Sequence, residues 1–240
     1  MPGTASPSAV ADIRVLSAGA PKTGVSRCAE AFFGDTGHKV DITFATAPVI
    51  RGRVADGAAP AEVVIAPVPA MQEFEENGRT VAGVGAVIGS VKVGVAVRDG
   101  APEPDISSAE AFKNAVLAAD SLVYNEASSG LYMARLMERL GIADKVGAKT
   151  TRLPTGAAVM QHVAQSHAAN EIGFGQITEI RLFAGKSVKL VGPLPPEIGK
   201  VITYAAGLLS DARAPDPSTA FIRFLASPAA KRTLVATGVE

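Results

Sequence analysis

Residues 13–67 read IRVLSAGAPKTGVSRCAEAFFGDTGHKVDITFATAPVIRGRVADGAAPAEVVIAP, and their periodicity decides the fold. The run Ile13–Gly19 is apolar, carries β-branched residues and ends in small ones, as a buried strand does. Val25, Cys28, Ala29, Phe32 and Phe33 follow at i, i+3, i+4, i+7 and i+8, one apolar helix face that Gly34 or Gly37 would end. KVDITFAT (39–46) alternates like a strand, PVIRGRVADG (48–57) fits a short helix, and AEVVIAP (61–67) is another buried strand. The order β-α-β-α-β predicts a largely parallel sheet with right-handed crossovers.

The pattern restarts after residue 90. SVKVGVAV (90–97) reads as a strand, and Ser107 with Glu110 has capping-box spacing at the start of a helix over 107–119. SLVYN (121–125) is a strand and SSGLYMARLMERLG (128–141) a helix with Met133, Leu136, Met137 and Leu140 inward. GAKTTRL (147–153) is a strand, GAAVMQHVAQSHA (156–168) a helix, EIGFGQ (171–176) a strand, and VKLVGPLPPE (188–197) a strand broken by its prolines. VITYAAGLL (201–209) supplies another strand, and Pro228 divides the closing segment into two short helices. The predicted class is α/β, with two Rossmann-like lobes in tandem.

Composition narrows the function. The 240 residues are 48% hydrophobic and 19% charged, enough to bury a real core. Lys+Arg and Asp+Glu are each 23, so no basic excess suggests a nucleic-acid surface. Cys28 is the one cysteine, and His38, His162 and His167 lack metal-binding spacing, so neither a disulfide nor a metal centre is expected. MPGTASPSAVAD opens without a basic start or apolar core, so it reads as a flexible lead-in over 1–11 rather than a secretory signal. VAGVGAVIGSVKVGVAV is too glycine-rich, and too interrupted by Lys92, to cross a membrane; GVGAVIG (83–89) lacks the strand-turn-helix setting of a dinucleotide fingerprint.

The strand-helix-strand run over 13–67, with its F-x-x-(T/G)-G-like turn and its G-x-x-P-A-E-V-V-I strand, resembles the molybdate-binding, type II periplasmic solute-binding proteins. The ending FIRFLASPAAKRTLVATG (221–238) is similar to that family's close. The resemblance runs from about Ile13 to Gly238 and implies two lobes hinged about an interlobe cleft. It implies lobe I over 12–90 plus 204–240 and lobe II over 91–203, with the crossings near Ser90–Val97 and Leu190–Tyr204.

The cleft implied is lined by residues near 17–23, 46–51, 126–132, 156–159 and 175–179. Its candidate ligand contacts are Ser17, Lys22, Thr23, Thr46, Arg51, Ser128, Ser129, Tyr132, Ala158 and Gln176. The family's serine in the first strand-to-helix turn is Ala20 or Pro21 here, its second serine run leaves Thr46 alone, and a site tyrosine is replaced by Gln176. Lys22 and Arg51 stand near those turns, which favours a carboxylate over a tetrahedral oxyanion. Arg53, two positions beyond Arg51, is expected to point elsewhere.

Gln176 closes NEIGFGQITEI (170–180), where an open α/β sheet binds its ligand; Thr178 and Glu179 also suit a helix cap. Two functions stay open. One is capture of a small anion, without cofactor or metal, by a monomer that serves a membrane permease. The other is isomerisation of a di- or tricarboxylate, since aconitate isomerase resembles the same family; Glu126, Glu179 and Lys22 are its candidate catalytic groups. A periplasmic location is expected if a leader was trimmed, a cytoplasmic one otherwise.

Overall fold

The computed structural model describes residues 10–240. Residues 1–9 of the expected lead-in lie outside the described residues, and Ala11 is already tied down, its N–H donating to His38 Nδ1 at 3.1 Å.

The first half of the chain forms β1 (Asp12–Ala18), α1 (Lys22–Thr36), β2 (Lys39–Ala45), α2 (Ala47–Ala55), β3 (Val63–Pro67) and α3 (Val68–Glu76). A single 19-residue strand, β4 (Thr80–Arg98), then runs on to α4 (Ala109–Ala118), β5 (Ser121–Asn125), α5 (Ser128–Arg139), α6 (Ala143–Val146) and β6 (Thr150–Leu153). The chain continues through α7 (Gly156–Gln165), β7 (Glu171–Gln176), α8 (Ile177–Phe183) and β8 (Val188–Pro193). It ends with β9 (Val201–Leu209), α9 (Pro215–Leu225) and α10 (Pro228–Ala236).

The strands join in the order β2-β1-β3-β9-β4-β7-β5-β6, with β8 also on β4. β1 is parallel to both β2 and β3, and β5 is parallel to both β6 and β7, so each half carries the same three-strand motif. β9 lies antiparallel on β3, and β4 lies antiparallel on β7. β4 belongs to both halves. It pairs with β9 from Thr80 to Lys92, then with β7 and β8 from Val93 to Arg98. β3 and β7 are buried along their whole length, as strands covered on both faces must be.

The elements follow their sequence patterns, except that α3 and α6 add helices that were not expected and β6 starts at Thr150 rather than at 147; two further differences concern α4 and β4. Ser108, not Ser107, caps α4, its hydroxyl accepting from Ala111 N–H at 3.1 Å; the Asp105 carboxylate takes the Ser107 N–H instead. The strand expected over 90–97 begins at Thr80, because the glycine-rich stretch before it continues the ladder with β9. Cys28 is buried under α10, and burial pushes its thiol up to about 11, so it acts as a small apolar residue.

The turn from β5 into α5 depends on a close backbone approach. A Cβ on Gly130 would stand 1.5 Å from the Asn125 carbonyl oxygen, a contact that only glycine avoids. Gly130→Ala is expected to lower stability by about 3 kcal/mol, since neither backbone can yield cheaply. Gly52→Ala in α2, where a Cβ meets nothing within 4 Å, is expected to be neutral or to stabilise by up to about 1 kcal/mol. Urea unfolding of both variants checks the contrast.

Candidate functional site

The carboxyl ends of β1, β2, β3, β5 and β7 border one cavity of about 490 Å³. Five helices of nine or more residues begin there: α1 at Lys22, α2 after Thr46, α3 after Pro67, α5 after Ala127 and α7 after Thr155. Each contributes the positive end of its dipole and leading N–H groups. α1, α2 and α3 have no side-chain cap on those groups. The sum is a positive potential without a large basic count.

Side chains complete the wall. Asn125 is 1% exposed; its Oδ1 accepts from Ala127 N–H at 2.9 Å and Gly130 N–H at 3.1 Å, while its Nδ2 donates to Ser129 Oγ at 3.0 Å. That clamp fixes the turn carrying Ser128, whose hydroxyl, like that of Thr46, makes no protein hydrogen bond among the described residues. Thr155 caps α7 by accepting from Ala158 N–H at 3.1 Å. Lys22 Nζ sits 5.2 Å from the Phe44 ring centroid, a cation–π contact that holds the ammonium at the cavity. Gln176 Nε2 donates to the Tyr204 hydroxyl on the floor, joining β7 to β9, and Gln176 Oε1 is left buried without a partner.

Glu179 is the one acid among the lining residues. Its carboxylate fills the space that a side chain on Gly156 would need, a Cβ there falling 2.2 Å from Oε2, and it also lies beside Gly19. It keeps partial contact with the cavity, but protein crowds it from most directions. Burial pushes its pKa from 4.5 up to about 7, with the Gln176 backbone amide pulling the other way. That amide lies three residues earlier, so the first-turn cap and the cavity wall share one carboxylate.

The structure brings Lys22, Thr46, Ser128, Ser129, Gln176 and Glu179 together around the cavity. The other residues expected at the site do not line it. Ser17 is wholly buried and donates to the Ala18 carbonyl at 3.0 Å; strand alternation turns it away while Ala18, Gly19 and Ala20 face the space. Arg51 is paired through Nε with Glu73 Oε2 at 2.9 Å, a partner 22 positions away. Tyr132 donates to the Ile198 carbonyl at 2.8 Å and accepts from Arg139. Thr23 lies one residue past Lys22 in α1, Ala158 is half-buried on α7 outside the cavity lining, and Glu126 is exposed at its turn. Asn125, Thr155, Lys186 and Tyr204 line the cavity without having been singled out. Asn125 carried a signal, a polar residue closing a buried strand; Tyr204 arrives from a distant segment, and Lys186, in the turn after α8, carried none.

Glu179 sets a pH dependence. The folded chain holds its proton to about pH 7 and the unfolded chain releases it near 4.5, so stability falls as pH rises across that window. The loss totals about 3 kcal/mol by pH 8 and is absent below pH 4. Glu179→Gln is expected to remove this slope, which unfolding at pH 5 and pH 8 measures; a parent equally stable at both contradicts it.

Comparisons with known proteins agree with this arrangement. The family model described as bacterial extracellular solute-binding protein matches residues 13–240. An aconitate isomerase from Pseudomonas sp. is 30% identical over 240 residues, covering 96% of this chain and 88% of that protein. The periplasmic molybdate-binding protein of Azotobacter vinelandii superposes with a TM-score of 0.78 at 18% identity, covering 95% of this chain and 98% of that one. A sulfate-binding protein from Mycobacterium tuberculosis gives 0.77 at 16% identity, covering 95% and 86%. With a match across both halves of the sheet and the cavity between them, the chain belongs to the bacterial extracellular solute-binding protein family.

Proposed function

We propose that the cavity captures a small organic anion bearing carboxylates. The observation that carries this reading is the convergence of five helix amino ends, the Lys22 ammonium and uncommitted hydroxyls on one space. Carboxylate oxygens accept directly from such donors. The wall also includes Ala18, Phe44, Pro67, Leu182 and Phe183, apolar surface that suits a carbon skeleton and is wasted on a bare tetrahedral oxyanion. The lobes we assign are 12–90 plus 204–240 and 91–203, closing about the two chain crossings. In this reading the protein works outside the cytoplasmic membrane and delivers its ligand to an ABC-type permease.

A second reading is favoured by one observation, the Glu179 carboxyl poised near neutrality inside the cavity. An ionised Glu179 would take a proton from a methylene next to a carbon–carbon double bond and a carboxylate. The electron pair would delocalise toward the carboxylate, steadied by Lys22, and the proton would return to the far allylic carbon. The double bond moves, no oxidant is needed and Glu179 is regenerated. The similarity to an aconitate isomerase supports aconitate as the first compound to try.

Calorimetry with trans-aconitate, succinate, sulfate and molybdate tests the first reading. The organic anions are expected to bind, and Lys22→Met is expected to weaken them by about 2 kcal/mol. Tight molybdate binding with no organic anion bound would overturn it. Proton NMR of trans-aconitate tests the second, expecting resonances of the isomerised double bond to grow with the parent and not with Glu179→Gln; no change with the parent overturns it.

A further inference from the structure

Lys186 reaches the same cavity from the turn between α8 and β8, on the opposite half of the sheet from Lys22. Five lysine and arginine side chains among the described residues are matched to carboxylates: Arg14, Lys39, Arg51, Lys92 and Lys189. Neither Lys22 nor Lys186 is among them. Lys189 at the start of β8 is bound to Glu103, whereas Lys186, three residues earlier, makes no ion pair among the described residues.

The backbone beneath Lys186 is held in an unusual shape. Ser187, with φ of 68°, is the single non-glycine residue of positive φ among the described residues, and Gly185 on the other side has φ of 74°. A side-chain-bearing residue in this region is strained and persists where its surroundings dictate it. The turn is closed by Lys186 N–H donating to the Phe183 carbonyl at 2.9 Å and by the bridge between Ala184 and Val188. Leu182 and Phe183, just before it, already form cavity wall. The strained turn therefore brings to the cavity an ammonium that makes no ion pair among the described residues, on the other half of the sheet from Lys22.

We infer that Lys186 is a specificity-determining residue that binds a second carboxylate, so that the ligand is a di- or tricarboxylate held by one ammonium from each half of the sheet. This rests on the carboxylate-binding reading and narrows it. Lys22, set among helix amino ends, takes the first carboxylate of any ligand; Lys186 adds affinity only when a second carboxylate reaches it. A ligand that bridges the two lysines also ties the halves together, which a monocarboxylate cannot do.

The experiment is calorimetry at fixed salt with trans-aconitate, succinate and butyrate against the parent, Lys186→Met, Lys186→Arg and Lys22→Met. Lys186→Met keeps an apolar stem of similar length at an exposed turn, and its melting temperature is compared with the parent's to verify folding. It is expected to weaken trans-aconitate and succinate about tenfold or more and to leave butyrate unchanged, while Lys186→Arg restores at least half of the loss on a logarithmic scale. Lys22→Met is expected to weaken every probe. Lys186→Met binding trans-aconitate within threefold of the parent, or Lys186→Arg restoring nothing, overturns the inference and leaves the carboxylate reading standing. A parent that binds none of the three compounds overturns the carboxylate reading itself.

Discussion

β4 has to satisfy two sets of backbone partners. Its residues up to Lys92 exchange hydrogen bonds with β9, and from Val93 onward its partners are β7 and β8. A strand cannot leave one ladder for another without bending, and a bulge interrupts the β9 register between Val87 and Gly89, just before the change. Gly94, whose Cβ would fall 2.7 Å from the Ile177 side chain and 3.0 Å from the Gly192 carbonyl, lets the second set of neighbours close in. Two repeats of the same strand-helix motif therefore sit on one shared strand. The carboxyl ends of β1, β3, β5 and β7 then open onto a common space, which is where such sheets bind ligands.

The chemistry of the cavity is a consequence of that topology. When strands end at a shared space, the helices that follow them begin there, and their dipoles add with the same sign. Formal charge is balanced over the whole chain, with 23 basic and 23 acidic residues, yet the local field favours an anion. Glu179 is the opposing element. Placed among helix amino ends it would be stabilised as a carboxylate, but burial outweighs this and lifts its pKa to about 7. A group balanced between two forms at that value can release charge to suit a bound anion or exchange a proton with one. Binding and proton transfer are thus two uses of one geometry, and the choice between them turns on where the ligand carbon sits relative to Glu179.

Much of the fold was legible because buried parallel strands read as uninterrupted apolar runs and their helices carry a clear apolar face. β1, α1, β3, β5 and β7 announce themselves this way. The first half of β4 did not, since glycines at 83, 85 and 89 erase the alternation that marks a half-exposed strand. At the site, the residues that follow a strand directly were readable: Lys22, Thr46, Ser128 and Gln176 each stand where a strand gives way to a helix. Arg51 stands outside the cavity lining and pairs with Glu73 on another helix, an ion pair that leaves no local trace in the sequence. Tyr204 was unreadable for the complementary reason, since β9 brings it to Gln176 from 28 positions away, and Lys186 because nothing local marks the turn after α8 as cavity wall.

The central claim is that the helix amino ends and Lys22 hold a carboxylate at the shared ends of the strands. A crystal structure with tricarballylate, a saturated tricarboxylate that offers no double bond to shift, examines it most directly. The expected result is one carboxylate within hydrogen-bond distance of Lys22 Nζ and of backbone N–H groups that open α1 and α2, with the carbon chain against Phe44. Tricarballylate bound elsewhere on the surface, with Lys22 and those N–H groups untouched, would contradict it.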